Sequence, residues 1–233
     1  MAVSQYNLQN VAVRENRILK NVYAWMTAGL LLTGVVAYGV STSENLIRTV
    51  FGTPGLFFML VIAEFILVIY LSARIQKMSA RAAVLSFSVY ALLNGITISF
   101  IFLAYTGLQI SQAFFSAAAA FGGMSIYGLT TKRNLSGIGH YAIMALWGII
   151  AASIINMFIG NDTLYYLISY AGVLLFMGLT AWDTQVIKSW NSAYGDRITE
   201  EEYVKLSIMG ALKLYLDFIN MFLFLLRIFG RRR

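Results

Sequence analysis

Residues 212–230, LKLYLDFINMFLFLLRIFG, decide the fold. They lie in a run whose flanking charges are Lys205 and Arg227, and the 21 residues between those two are enough for one helix to cross the hydrocarbon core of a bilayer. Lys213 and Asp217 interrupt that run. A charge at the centre of a membrane helix costs roughly 2.5–3.5 kcal/mol on insertion scales, so such a side chain faces a bundle interior or a wet cavity. The stretch therefore reads as a buried membrane helix with a polar stripe, because Lys213, Asp217 and Asn220 follow one another at about one-turn spacing.

Working outward, six more apolar runs of spanning length precede it, at 22–40, 56–73, 82–105, 110–131, 138–159 and 164–187, with the last run covering 206–228. Connections between them are short and carry turn residues such as Gly52, Pro54, Gly107, Gly137 and Gly160. The fold expected is an all-α integral membrane protein of seven transmembrane helices. It divides into an N-terminal tail, 1–20, and a seven-helix transmembrane domain, 21–230. Composition agrees: 59% of residues are hydrophobic and 12% charged, which excludes an ordinary soluble domain, where charged residues are about 25%. No cysteine is present, so there is no disulfide framework. The net charge of +7 comes from basic residues in loops and at the two ends, the pattern of membrane orientation and not of a nucleic-acid partner.

Loop charges orient the chain. Arg14, Arg17 and Lys20 precede the first run, Arg74, Lys77 and Arg81 follow the second, Lys132 and Arg133 follow the fourth, and Lys188, Arg197 and Lys205 follow the sixth. Those regions are expected in the cytoplasm, and the polar stretch 1–20, which lacks the layout of a cleavable signal peptide, with them. Seven spans would then leave Arg231, Arg232 and Arg233 on the far side, against the same rule unless the last helix turns back.

Asp183, in GLTAWDTQVIK, lies about a turn from the cytoplasmic end of the sixth run, and the seventh run starts from that side, so Asp183 and Asp217 are candidates to approach each other. Two carboxylates sharing a site cannot both ionise cheaply and titrate as a unit. Glu64 interrupts FFMLVIAEFILVIYLSA, and its expected partner is a cation on another helix, Arg227 being the candidate for a buried ion pair. His140 is the only histidine, which leaves no transition-metal constellation. No P-loop of the form GxxxxGK[ST] is present, so ATP-driven transport is not expected.

GALKLYLDFINMFLFLLRIFG, TAWDTQVIK, TKRNLSG and AEFILVIYLSARI together resemble the transmembrane Bax inhibitor motif family, bacterial branch, over nearly all of the chain after residue 20. The resemblance implies six helices wrapped around a central C-terminal helix. It also implies a passive, pH-sensitive calcium leak gated by an aspartate pair, here Asp183 and Asp217, which would also be transient oxygen ligands for the permeating calcium. No other cofactor is expected. Two features depart from the family's pattern. Lys213 stands where a small or hydroxyl residue is usual, as a modulator of the pair, and Arg74 matches only approximately the arginine that latches to the first aspartate. The expected partners are the lipid bilayer, calcium ions and, through the tail 1–20, a membrane-anchored AAA protease of the kind some bacterial relatives are linked to. Location in a bacterial inner membrane with the N-terminus inside follows. An intramembrane aspartyl protease is the enzymatic alternative, and the chain lacks the GxGD sequence that such enzymes carry, since LYL precedes Asp217. An enzyme is therefore not expected.

Overall fold

The computed structural model describes residues 2–53, 55–194 and 198–230, with side chains from Arg17 onward apart from 191–193. Among the described residues every regular element is a helix: α1 Ala2–Ser41, α2 Glu44–Gly52, α3 Leu56–Arg74, α4 Ala80–Ile98, α5 Ile101–Ala104, α6 Gly107–Thr130, α7 Ser136–Ile159, α8 Asp162–Tyr194 and α9 Glu200–Phe229. Seven helical segments are long and apolar enough to span a membrane: Arg17–Ser41, Leu56–Lys77, Ala80–Ala104, Gly107–Thr130, Ser136–Ile159, Asp162–Trp190 and Glu200–Phe229. The chain is an all-α integral membrane protein. Each segment matches one of the apolar runs, and most begin a few residues before the run does, because the caps are polar. Ser79 accepts from the Ala82 N–H ahead of α4, Thr106 and Gln109 form a reciprocal capping box ahead of α6, and Asn161 Oδ1 accepts from the Leu164 N–H ahead of α8. The start of α9 is the largest such case. Thr199 and Glu202 cap one another, and Glu200, Glu201 and Glu202 place negative charge at the positive end of the helix dipole.

Two elements lie outside the apolar pattern. The short helix α2 occupies what reads as a loop, capped by Ser43, and Gly55 then takes φ +84, a backbone conformation that only glycine adopts freely, to launch α3. The tail is helical too: α1 runs without interruption from Ala2 into the first span. At the other end α9 is one unbroken helix of 30 residues, so no turn back occurs before Phe229. Arg231, Arg232 and Arg233, on which the orientation conflict rests, lie outside the described residues.

The chain forms two compact units, residues 1–104 with 190–215, and 105–189 with 216–233. In the first, α1 and α3 both pack on α4. Gly95 of α4 makes the α1 crossing: a Cβ there would stand 2.8 Å from the Thr33 carbonyl oxygen and 2.8 Å from Val36 Cβ. Phe87 and Tyr90 of α4 set their edges against the Tyr215 ring of α9 at 5.8 and 5.9 Å between centroids. At the start of α9, Arg17 of α1 makes a two-pronged pair with Glu200 at 3.2 and 3.3 Å and lies 4.6 Å from the Tyr203 ring centroid, while Asn21 donates to Tyr203 OH at 2.9 Å.

In the second unit Phe114 and Phe121 of α6 meet Phe218 of α9, and Phe176 of α8 stacks on Phe224. Gln185 of α8 fastens the α6–α7 connection by accepting from the Leu135 N–H at 2.9 Å and donating to the Arg133 carbonyl at 2.8 Å, and Lys188 donates to the Leu129 carbonyl at 2.7 Å. Those side chains satisfy helix-end groups that would otherwise have only solvent. Through both units α9 is buried on every face: Leu206, Ser207, Ile208, Ala211, Leu212, Leu214 and Tyr215 in the first half, then Asp217, Phe218, Ile219, Met221, Phe222 and Leu226. Within each unit the neighbouring helices pack on its part of α9.

Candidate functional site

Asp183 and Asp217 both fall in the second unit, one on α8 and one on α9, and they are 5% and 4% exposed. Asp217 stands 17 residues after Glu200 and 12 before Phe229 on α9, about 25 and 18 Å along the axis, which puts it in the middle third of its span. Asp183 is seven residues before Trp190, about 10 Å from the end of its span. Carboxyl groups at such positions are costly unless other polar groups meet them.

The wall beside Asp183 is backbone-tight. Gly128 of α6 packs on the Ala181 carbonyl and on Thr184, leaving no room for a Cβ, and Gly139 of α7 packs in the same way on the Trp182 ring. Glycine is what lets α6 and α7 come this close to the turn of α8 that carries the aspartate. Two hydroxyls are buried there or near it, Thr184 beside Asp183 in sequence and Ser125 one turn before Gly128; neither oxygen has a hydrogen-bond partner among the described residues. Oxygen atoms buried in this way are acceptors for water or for a cation that sheds water.

The other predicted positions are placed as follows. Lys213 is half-buried on α9 in the first unit, and Arg74 is exposed at the end of α3. Asn220, read as part of the stripe with Asp217, donates to the carbonyl of Leu216 on its own helix at 2.8 Å. Glu64 lies in the first unit and Arg227, its expected ion-pair partner, in the second, and each side chain has described contacts within its own unit. Glu64 accepts from Thr97 Oγ1 at 2.6 Å and from Asn94 Nδ2 at 3.3 Å, both neutral donors on α4. Arg227 lies over the rings of Phe224 and Tyr165, at 5.2 and 5.8 Å from their centroids. An amide and a hydroxyl supply donors to the carboxylate, and aromatic faces receive the guanidinium.

The Glu64 contacts continue into a buried chain of uncharged side chains. Tyr215 OH, on a fully buried side chain of α9, donates to Asn94 Oδ1 at 3.0 Å and lies 2.7 Å from Thr33 Oγ1 of α1, which donates to the Ala91 carbonyl at 2.8 Å. Asn94 and Thr97, three apart in an otherwise apolar run, were the available signal, since that spacing puts both on one helix face.

A family model described as inhibitor of apoptosis-promoting Bax1 matches residues 15–233. Inner membrane protein YbhL of Escherichia coli K12 is 47% identical over 215 residues, covering 92% of each chain. An uncharacterized protein of Borreliella burgdorferi is 41% identical over 94% of each chain, and an uncharacterized membrane protein of Streptococcus pyogenes is 41% identical over 93% of each.

Proposed function

The chain belongs to the Bax1-I family of membrane proteins, and from that premise we propose that it is a passive, pH-sensitive cation leak, calcium being the ion, gated by Asp183 and Asp217. The observation that carries this reading is the burial of two carboxyl groups, at 5% and 4% exposure, within one compact unit of a membrane protein. Carboxylates are hard oxygen ligands suited to calcium, and the buried hydroxyls of Ser125 and Thr184 are further oxygens of the same kind. When the two aspartates share a proton, the charge in the unit changes with pH, and with it the contacts between α8 and α9; two states that differ in this way have different conductance. Lys213, on the same helix one turn before Asp217, tunes that balance by its charge. The N-terminus lies in the cytoplasm of a cell whose plasma membrane holds the protein, as the loop charges require.

Calcium flux into proteoliposomes, measured from acid to mildly alkaline pH, tests the reading. Wild type should show pH-dependent uptake, and Asp183→Asn and Asp217→Asn should each flatten the dependence. Two asparagine variants with the wild-type profile would sink the shared-proton mechanism.

A second reading has one observation in its favour. Helix α1 starts at Ala2, 15 residues before the span that begins at Arg17, so a helical rod of about 22 Å extends the span and offers a partner something to grip. In this reading the tail binds a membrane-anchored AAA protease and modulates it. Deleting residues 2–12 should then change turnover of the protease's substrates and leave calcium flux as it was; a leak regulated through the tail would give the opposite pattern.

A further inference from the structure

We infer that Glu64 is a proton-binding site, separate from the aspartates, and that its proton orders a hydrogen-bond chain running from α3 through Asn94 and Tyr215 to Thr33, so tying α3, α4, α9 and α1 together. Hydrogen atoms are in short supply in this cluster. Six polar contacts make up the cluster: Glu64 with Asn94 Nδ2 and with Thr97 Oγ1, Thr97 Oγ1 with the Asn94 carbonyl, Tyr215 OH with Asn94 Oδ1, Tyr215 OH with Thr33 Oγ1, and Thr33 Oγ1 with the Ala91 carbonyl. Each contact needs one hydrogen. Each hydroxyl owns one, and a carboxylate or carbonyl oxygen owns none. With Glu64 ionised, the single Thr97 hydrogen is wanted both by the carboxylate at 2.6 Å and by the Asn94 carbonyl at 3.1 Å. In the same state the two hydrogens of Tyr215 and Thr33 must serve three contacts at 2.7, 2.8 and 3.0 Å. Four of the six contacts can then be hydrogen bonds.

One proton on Glu64 raises the number to five, and it can do so in two ways. On Oε1 it donates to Thr97, whose own hydrogen is released to the Asn94 carbonyl; the 2.6 Å separation suits an O–H···O bond of this strength. On Oε2 it donates to Asn94 Oδ1, once the amide is turned over so that Nδ2 points to Tyr215. Amide orientation follows from the network around it, and here both orientations fit the same heavy atoms. In that second arrangement every bond runs in one direction: Glu64 to Asn94, Asn94 to Tyr215, Tyr215 to Thr33, Thr33 to the Ala91 carbonyl. The ionised carboxylate forbids it, because Asn94 Oδ1 would face a negative oxygen with no hydrogen between them.

The surroundings favour a proton as the occupant. Glu64 is half-buried, and the polar side chains that meet it within the first unit are Asn94 and Thr97 of α4. It lies eight residues after Leu56, about 12 Å into the span. Among the described residues of the first unit, the titratable groups beside Glu64 are Tyr90 of α4 and Tyr215 of α9, and neither is a cation. On α9 the charged neighbours Lys213 and Asp217 each stand two positions from Tyr215, about 200° around the helix and so on its other side. Thr33 of α1 has no charged residue within two turns. A proton on Oε1 serves Thr97 alone, whereas loss of a proton from Oε2 leaves the tie between Tyr215 and α1 one hydrogen short, and it is this arrangement that makes α9 responsive to protonation at a site in the first unit.

Infrared spectroscopy of the reconstituted full chain, with and without isotope-labelled glutamate, tests this. The other glutamates with described side chains, Glu44, Glu200, Glu201 and Glu202, are exposed. A protonated-carboxyl stretching band that shifts with the label at neutral pH is expected in wild type. It should vanish in Glu64→Gln, persist in Asp183→Asn and Asp217→Asn, and change frequency in Tyr215→Phe. Labelling in wild type reads the site without any substitution, so a variant that fails to fold does not leave the matter open. Absence of a label-sensitive protonated band at neutral pH would overturn the proposal. A band unmoved by Tyr215→Phe would overturn the coupling to α9. Persistence of the band in the aspartate variants keeps this test independent of the leak mechanism.

Discussion

The contact between α6 and α8 beside Asp183 can be tested with one methyl group. In Gly128→Ala the new Cβ would overlap the Ala181 carbonyl oxygen and stand 3.1 Å from Thr184 Cβ. A backbone carbonyl inside a helix cannot swing away, so α6 and α8 must separate locally. Overpacking of this kind costs about 1–3 kcal/mol, while alanine is better than glycine in a helix by about 1 kcal/mol. The net loss is on the order of 1 kcal/mol, equivalent to a fall in Tm of about 2–4 °C for a chain of this size. Gly123→Ala is the internal control: it lies on the same helix, and its Cβ would meet nothing within 4 Å, so the helix-propensity gain stands alone. Thermal unfolding in detergent, followed by intrinsic fluorescence, should place Gly128→Ala below wild type and Gly123→Ala at or above it. Flux in proteoliposomes should change only for Gly128→Ala, since its strain falls on the turn that carries Asp183. Equal melting temperatures for the two variants would refute the close crossing.

Two further outcomes are expected. Tyr215→Phe removes a hydroxyl that contacts both Asn94 and Thr33, leaves Asn94 Oδ1 buried with one donor fewer, and should lower stability by about 1–3 kcal/mol in the same melting assay. Cysteine at Lys132 should be protected from an impermeant thiol reagent in intact cells, and cysteine at Asn45 should react with it; the reverse pattern would invert the orientation read from loop charges.

How far the sequence could be read depended on which physical signal each element carries. The spans were legible because membrane burial demands long apolar runs, and Asp183 and Asp217 stood out because charge inside such runs is rare. Helix α2 and the start of α1 were not, because neither carries an apolar run of spanning length. The neutral donors around Glu64 were not legible for a related reason. A search for charges looks for a cation, whereas the donors here are an asparagine and a threonine, and Tyr215 counts as apolar in any hydropathy scan although its hydroxyl joins three helices.

The two views of Glu64 predict different results for the same substitution. If Glu64 answered a buried cation, Glu64→Gln would strand that cation at a cost of about 3–5 kcal/mol. With the neutral partners found here, the glutamine carbonyl accepts from Thr97, and its amide donates to Asn94 Oδ1 once the asparagine is turned over, after which Asn94, Tyr215, Thr33 and the Ala91 carbonyl bond in one direction. The glutamine thus copies the protonated acid, and Glu64→Gln should keep the wild-type Tm to within the effect of about 0.5 kcal/mol. Glu64→Ala removes both contacts and should melt lower, because Asn94 and Thr97 lose their acceptor in an apolar setting. A fall in Tm for Glu64→Gln as large as that for Glu64→Ala would show that the charge itself is what the site requires, and would point to a cation as its partner.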